Sequence, residues 1–401
     1  MINLPSLKKE HEEPNKFLSL NINARDVKCL SFYPDEDVFK IIGAWSQKLP
    51  GGSVRNGMII DEDTVVEAVK NSVDKVQSSE SETKIKKTIV GVDGGITTGL
   101  TTVIRMKRPT ADPIQLTEVE NLYEHAAEAA MVQARNRILE NTGDSEMPIN
   151  PITTSDIYIK IDGQKVALLE GQRGQNVEIA IFNAYVPVFH VKSLQKVTKR
   201  AGLITLAIGS QMYSLVEFIK MEQPETKDFV LVNISEDSTD VGAVFGGGIV
   251  STRTLNVGYM HFIQDIGSKM ALEKENAESV LKMYNSEKLS KSELPVIKNC
   301  LGETIDVWMD GLELLLEDFP GVKTFPPKVY LSGCGADIKD LMEAIKGRTW
   351  TKTIPFIQEP EFNNLASIID GKIVNLTDQE LTSEWAYLAS TAMIYKEITE
   401  V

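Results

Sequence analysis

Apolar and polar residues alternate along the first part of the chain. The segment FLSLNINARDVKCLSFY, residues 17–33, alternates on both sides of a polar Asn-Ala-Arg-Asp tetrapeptide. A period of two is typical of a β-strand with one buried face, and the tetrapeptide favours a tight turn. We therefore predict two strands joined by a turn, followed by a third strand in VFKIIGAW. Asp61 is then expected to cap a helix, because five valines recur at helical spacing after it: Val65, Val66, Val69, Val73 and Val76.

The pattern changes after the Ser/Glu/Lys-rich connector QSSESETKIKK, residues 77–87. KTIVGVDGG and TTVIRM predict strands, and Thr117 with Glu118 predicts the start of an Ala-rich helix that runs to about Glu140. A loop from 141 to 155 and a hairpin at Asp162-Gly163 are expected to follow. These elements predict a compact inserted subdomain over residues 86–173.

A second series of strands and helices follows the predicted insert. NVEIAIFNAYVPVF predicts a strand, and SLQKVTKRAGL predicts a helix that ends at Gly202. The most apolar stretch, 203–219, is too short and too polar to span a bilayer and is interpreted as a buried helix. Residues 229–258 predict strands that turn at Ser235–Thr239 and at the three glycines from Gly246. A helical region to about Phe319, a strand, a glycine turn, a helix and the closing helix EWAYLASTAMIYKEI are predicted to complete the chain.

Composition limits the classes of function. A chain of 401 residues with 42% hydrophobic residues exceeds the size of a single core, so two to four subdomains are expected. A net charge of -15 opposes binding to nucleic acid or to an anionic membrane. Three widely spaced cysteines are typical of reduced thiols in a cytoplasmic protein. Residues 1–16 lack an apolar signal segment and are expected to be a disordered arm.

Three features occur in the order found in nucleotide-binding proteins that clamp phosphates between two hairpins. They are an N-terminal strand-turn-strand, a second one past the middle, and a late strand followed by Gly-x-Gly and a helix. The turns can offer backbone N–H groups and hydroxyls to phosphates, and the glycines let the backbone approach an adenosine. The candidate residues of these features are Asn21, Asn23, Ser238, Thr239, Asp240, Gly333 and Gly335.

Several segments resemble the bacterial cell-division protein FtsA. SVRNGMIIDEDTVVEAVKNSV is similar to its Ser-x-Gly-x-x-x-Gly-x-Ile-x-Asp element, and LSGCGADIKDL to its Leu-Thr-Gly-Gly-Gly-Ala segment. GYMHFIQDIGSKMALEKENAESVLKMY resembles a helical region of the family, in which Glu278 and Lys282 are the matching site residues. The resemblance implies an α/β, actin-like (ribonuclease H-like duplicated) fold with an FtsA-type inserted subdomain. It also implies ATP with magnesium as cofactor, self-association into filaments, and binding of the tail of an FtsZ-like division protein.

The resemblance also implies a division of the chain into subdomains. A first actin-like subdomain is expected over 17–85 and 174–206, with the insert 86–173 between its parts. A second is expected over 207–258 and 326–401. Its outer subdomain, 259–325, is the part that FtsA-like proteins use to bind the FtsZ tail.

Departures from the family pattern argue against catalysis. Asn21 and Asn233 stand where the family has carboxylates that organise magnesium-bound water, and amides cannot carry that charge. Glu236 and Asp237 replace glycines of the second turn and would repel phosphates. We therefore predict a non-enzymatic adaptor, with ATP binding left open.

Two alternatives to the division adaptor remain. PilM-like cytoplasmic components of type IV pilus assembly share the fold and bind a peptide of a membrane partner. An actin-fold ATPase or sugar kinase is the third hypothesis. Neither end of the chain offers a basic amphipathic helix, so membrane attachment is expected only through a partner.

Overall fold

The computed structural model describes residues 16–55, 57–77, 84–144, 146–347, 353–368 and 371–399, without the side chains of residues 141, 142, 367 and 368. The predicted arm lies outside these residues except for Lys16, and so does the centre of the predicted connector.

The described chain forms strands and helices in mixed order. The strands are β1 (Phe17–Ile22), β2 (Asp26–Asp35), β3 (Val38–Lys48), β4 (Val54–Arg55), β5 (Met58–Ile59), β6 (Lys87–Val92), β7 (Thr98–Lys107), β8 (Ile149–Ile161), β9 (Gln164–Val166), β10 (Asn176–Pro187), β11 (Ile204–Ser210), β12 (Phe229–Ile234), β13 (Thr239–Phe245), β14 (Gly248–Leu255), β15 (Lys328–Ser332), β16 (Glu361–Asn364) and β17 (Ile373–Asn375). The helices are α1 (Glu62–Val76), α2 (Leu116–Thr142), α3 (Val188–Arg200), α4 (Gln211–Glu222), α5 (Tyr259–Met270), α6 (Lys274–Asn285), α7 (Leu294–Glu317), α8 (Lys339–Gly347), α9 (Ser383–Ser390) and α10 (Ala392–Thr399).

A six-stranded sheet in the order β11-β6-β1-β2-β3-β17 forms the first half. Its central strand β1 is antiparallel to β2 and parallel to β6. Leu18 and Leu20 pack with the predicted valine face of α1, while Phe17 lies in the core that contains α4, α9 and α10. The sheet is therefore covered on both faces. Polar residues of β1 that face α9 are buried and satisfied, since Ser19 Oγ donates to Leu388 O at 3.1 Å.

A nine-stranded sheet in the order β16-β15-β12-β13-β14-β7-β10-β8-β9 forms the rest of the framework. Its strands β12, β13 and β15 pack with α5 to α8 in one core, and their other face joins the core shared with α4 and α9. Helix α2 lies against β7 and β10. The two sheets thus meet across α4 and α9.

Four strands lie elsewhere than the predicted boundaries imply: β6, β10, β11 and β17. β10, assigned to the first subdomain, pairs with β7 and β8 in the nine-stranded sheet, and β17, assigned to the second, pairs with β3 in the six-stranded sheet. β6, assigned to the insert, pairs between β1 and β11 in the six-stranded sheet. β11 crosses the predicted boundary at 206/207 and pairs with β6 over its whole length. Parallel pairing joins segments that are distant in sequence, so a change in the residue pattern along the chain does not mark the edge of a sheet. The division into subdomains itself stays a prediction.

Three local predictions were wrong. Residues 203–219 are not one helix, because strand β11 ends at Ser210, whose Oγ caps α4 by accepting from Tyr213 N at 3.4 Å. The predicted loop 141–155 includes the start of β8 at Ile149. The closing helix is two helices separated at Thr391, whose Oγ1 binds Leu388 O at 2.8 Å.

The cap of α1 was predicted correctly, with Asp61 Oδ1 accepting from Thr64 N at 3.1 Å. The three cysteines are buried free thiols. In the part of the chain that the structure describes, no helix is long and apolar enough to cross a bilayer.

Candidate functional site

Two hairpin turns face each other between the halves. In the first, Asn23 Oδ1 accepts from the backbone N–H groups of Arg25 and Asp26 at 2.8 and 2.9 Å, which fixes the turn between β1 and β2. In the second, between β12 and β13, Ser235 N donates to Ser238 O at 2.8 Å. Because the two strand pairs belong to different sheets, a side chain that reaches from one turn to the other joins the halves.

Arg25 makes this connection. Its Nη2 lies 3.4 Å from Glu236 Oε1 of the second turn and 2.5 Å from Glu384 Oε2 of α9. Its Nη1 lies 3.2 Å from Glu278 Oε1 of α6. Only 3% of the arginine side chain is exposed. One guanidinium of the first half therefore holds carboxylates from three elements of the second.

Lys28 of β2 extends the same cluster. Its Nζ lies 3.2 Å from Glu236, 3.5 Å from Glu384 and 3.6 Å from Asp26, and 1% of its side chain is exposed. At the outer side, Lys48 and Lys282 bind the Glu278 carboxylate at 2.7 and 3.1 Å. We call these eight side chains the interhalf cluster: Arg25, Lys28, Lys48, Lys282, Asp26, Glu236, Glu278 and Glu384. Four cations thus face four carboxylates.

The pKa directions agree with a charged, paired cluster. Burial alone would raise the pKa of Glu384, but Lys28 and Arg25 outweigh it and lower that pKa to about 2. Burial opposes the charge of Lys28, yet Asp26, Tyr387 and Glu236 raise its pKa well above the usual range. The pKa of Asp26 is lowered despite burial, by Lys28 and Arg25. Lys28, Asp26 and Glu384 therefore stay ionised at neutral pH.

The residues at the predicted phosphate positions do not fit a magnesium nucleotide. Asn21 Oδ1 already accepts from Tyr387 OH at 2.6 Å and Asn23 Nδ2 at 3.0 Å, and its Nδ2 donates to Asp93 at 3.3 Å. The gap between the turns holds the Arg25 and Lys28 ion pairs to Glu236. Because the cluster is balanced in charge, it offers no net positive potential to phosphates. Among the described residues no group of three or more His, Cys, Asp or Glu is arranged to hold a metal ion.

The remaining predicted site residues have structural contacts. Thr239 Oγ1 donates to Val257 O at 2.7 Å and accepts from Trp308 Nε1 at 2.7 Å. A Cβ at Gly333, where φ is +84°, would lie 2.3 Å from Ile234 O. A Cβ at Gly335 would lie 2.2 Å from Ile234 Cγ2. The two glycines therefore allow the turn after β15 to pack closely on the end of β12.

The structure brings most of the predicted residues together. Asn21 and Asn23 shape the first turn, Ser238 and Thr239 shape the second, and Glu278 with Lys282 belongs to the interhalf cluster. Sequence reasoning missed Arg25, Lys28 and Glu384. The available signal was Lys28, which lies on the same strand face as Leu30 and Phe32, where a cation is expected only with buried partners.

An open cleft lies beside the cluster, with Asn23, Ala24 and Glu236 at its floor and a volume of about 890 Å³. Its walls come from the β4–β5 hairpin, the turn after β6, the end of α2, the start of α3, β14 and α5. Apolar side chains make up part of the lining, which we call the apolar wall: Val54, Met58, Ile96, Ile138, Met147 and Phe189. The Phe189 side chain is 47% exposed and is therefore accessible from the cleft.

Comparisons with known proteins identify the fold. No protein-family model matches the sequence, and no curated protein sequence matches it. The structure is similar to a chain of the PilM–PilN type IV pilus biogenesis complex, with a TM-score of 0.68 and 16% identity over 95% of this chain and 98% of that one. It is also similar to the ethanolamine utilization protein EutJ from Carboxydothermus hydrogenoformans, with a TM-score of 0.51 and 11% identity over 95% of this chain and 90% of that one.

MreB 5 of Spiroplasma citri, solved with AMPPNP, is a third similar structure, with a TM-score of 0.51 and 13% identity over 96% of this chain and 97% of that one. The predicted actin-like α/β fold is thereby confirmed. Likenesses at these identities establish the fold alone, and the FtsA form of the insert stays a prediction.

The interhalf cluster generates a prediction about stability. Replacing Arg25 with Met leaves buried carboxylates without their shared cation, so Arg25→Met should lower the unfolding free energy by about 3–5 kcal/mol. Arg105→Met is the matched control, because Arg105 is 75% exposed and forms an exposed ion pair with Glu178; it should cost less than about 1 kcal/mol. Urea denaturation of the variants measures both. Equal effects of the two substitutions would contradict the assigned role of Arg25.

The buried Asp240 generates a prediction about pH. Burial raises its pKa from 3.8 to about 6, although it accepts hydrogen bonds from Thr254 Oγ1 at 2.7 Å and Gly94 N at 3.1 Å. Between these values the folded state holds a proton that the unfolded state has released, so stability falls as pH rises through the window. Asp240→Asn cannot ionise and should therefore gain stability relative to the parent from pH 4 to pH 7, by about 2–3 kcal/mol.

Urea unfolding at both ends of this pH range tests the effect of Asp240, with Asp318→Asn as control because the Asp318 side chain is 99% exposed. If the unfolding free energies of the parent and of Asp240→Asn changed in parallel with pH, the pKa of Asp240 would not be raised by folding.

Proposed function

We propose that this chain is a non-enzymatic, PilM-like actin-fold protein that binds a polypeptide of a pilus-assembly system in its open cleft. The interhalf cluster carries the proposal. Its own cations and carboxylates occupy the gap where an actin-fold enzyme would hold phosphates, while the adjacent cleft is left accessible.

Turnover of ATP has little chemical support in this arrangement. Asn21 and Asn233 lack the charge to organise a metal, and Glu236 faces the space between the turns as a carboxylate. Asp93 is the nearest further acid, but burial together with Glu236 and Asp240 raises its pKa. A protonated carboxyl is a poor metal ligand. We therefore assign the cleft to recognition.

The cleft suits a peptide. Its volume of about 890 Å³ is in the upper range of ligand pockets, and its apolar wall can take alternate side chains of an extended segment. The similar PilM–PilN structure is a pilus biogenesis complex, which favours a pilus-assembly partner over the tail of an FtsZ-like protein. A cytoplasmic location, with recruitment to the membrane by that partner, agrees with the net charge of -15, because this charge opposes direct binding to anionic lipid. Self-association is a further expectation of the actin-like fold that the same experiment can detect.

Site-specific crosslinking in the native cell tests the assignment. Phe189→p-benzoylphenylalanine places a photoreactive group in the cleft, and it should capture a pilus-assembly membrane protein. Leu376→p-benzoylphenylalanine is the control, because Leu376 is 59% exposed but is not among the residues that line the cleft. It should capture that protein at most weakly, since only contact within the cleft places the partner beside the probe.

Three results would contradict the proposal. They are equal capture of the same protein from both positions, capture of an FtsZ-like protein from Phe189, and capture only of a second copy of this chain.

A further inference from the structure

Two arginines of the cleft lie on the same side of strand β14. Arg253 and Ser251 are two residues apart in β14, so their side chains point to the same side of the sheet. Arg137 reaches that side from α2, with Nη2 donating to Ser251 Oγ at 2.7 Å. Both arginines line the open cleft.

Arg137 is held by neutral oxygens. Its Nη1 donates to Gly99 O at 2.9 Å and to Thr252 O at 3.3 Å. No carboxylate forms a salt bridge with it in the described part of the chain. Its pKa is lowered, first by burial and then by the neighbouring Arg253. The guanidinium is thus fixed in place by neutral oxygens, with no carboxylate of the described chain in direct contact.

Arg253 is only weakly paired. Its Nη2 lies 3.6 Å from the carboxylate of Asp318, which is 99% exposed, and 3.2 Å from the Asp318 carbonyl oxygen. Its Nε is buried and has no hydrogen-bond partner among the residues that the structure describes. An ion pair with a fully exposed partner contributes little and is screened by salt.

Other charges around the cleft do not neutralise this pair. Glu236 is committed to Arg25 and Lys28, and the raised pKa of Asp93 reduces its charge. Glu140 lies one turn from Arg137 on α2 and acts to raise the pKa of Arg137, but the two form no ion pair among the described residues. Asp237 is a further acid of the cleft lining. The walls add two further cations, Arg55 and Lys274.

We propose that Arg137 and Arg253 form a subsite for a carboxylate of the polypeptide that binds in the cleft. This inference rests on the proposed function. Neighbouring guanidiniums repel each other unless an anion lies between them, and the planar fork of arginine suits a carboxylate. The apolar wall would take the partner's hydrophobic residues, and the subsite would fix its register by one acidic side chain or the terminal carboxylate. Recognition would then require apolar residues and an acid at a set spacing.

Titration of the full-length protein with glutarate tests the subsite without the partner. The probe is added in place of chloride at constant ionic strength, and the arginine Nε–H signals are followed by nuclear magnetic resonance. The Arg253 Nε–H should shift saturably in the millimolar range, because this group has no internal partner. Arg137→Gln should weaken glutarate binding by at least tenfold, which is about 1.4 kcal/mol.

Arg253→Gln should weaken binding equally, with the Arg137 Nε–H as the signal. Arg105→Gln is the matched control: it removes the same charge from a 75% exposed arginine that does not line the cleft, and it should leave binding unchanged. Absence of saturation, or equal loss in the Arg105 variant, would overturn the subsite.

Inorganic phosphate is the competing probe. A phosphate affinity at least tenfold above that of glutarate would replace the carboxylate assignment by a phosphate one. The result is independent of the partner's identity, since saturable glutarate binding that depends on both arginines supports the subsite even if crosslinking from Phe189 captures no pilus protein. Capture of a pilus protein with no glutarate response would reject the subsite and retain the proposed function.

Discussion

The ion pairs of Arg25 and Lys28 with Glu236 are the interaction on which the arrangement of the two halves depends. They connect a turn of the six-stranded sheet to a turn of the nine-stranded sheet, and almost none of their surface reaches solvent. Such charges are costly to bury, so each must keep its partner. The relative position of the sheets is therefore restricted to one in which all four carboxylates of the cluster are within reach of a cation. The two halves are therefore joined by ion pairs between the chain's own side chains.

The interhalf cluster and the adjacent cleft differ in charge balance and in accessibility. The gap between the hairpins is filled and balanced in charge, whereas the neighbouring cleft keeps weakly paired guanidiniums and an exposed aromatic ring. Filling the gap fixes the floor of the cleft, because Asn23 and Glu236 belong to both. A rigid floor favours recognition, since a preorganised site loses less entropy on binding.

The sequence was sufficient to predict the elements that local periodicity controls. The strands around residue 23, the Asp61 cap and the valine face of α1 follow from alternation and from capping chemistry. The sequence was insufficient where contacts between distant segments determine the local structure. Residues 203–219 became a strand and a helix because β6 offered a parallel edge to Ile204 and its neighbours. The roles of Arg25 and Glu384 depend on partners more than 200 residues away, and nothing in their own surroundings indicates a buried charge.

The replacement of phosphates by side-chain ion pairs is tested most directly by calorimetric titration of the purified protein with ATP and ADP in the presence of magnesium. No saturable heat is expected with the parent chain, because the gap between the turns is occupied and carries no net positive charge. Saturable binding in the micromolar range, lost on substitution of Ser238 or Thr239 in the second turn, would contradict it. Such a result would mean that Arg25 and Lys28 leave the gap readily and that the chain is a nucleotide-dependent member of its fold.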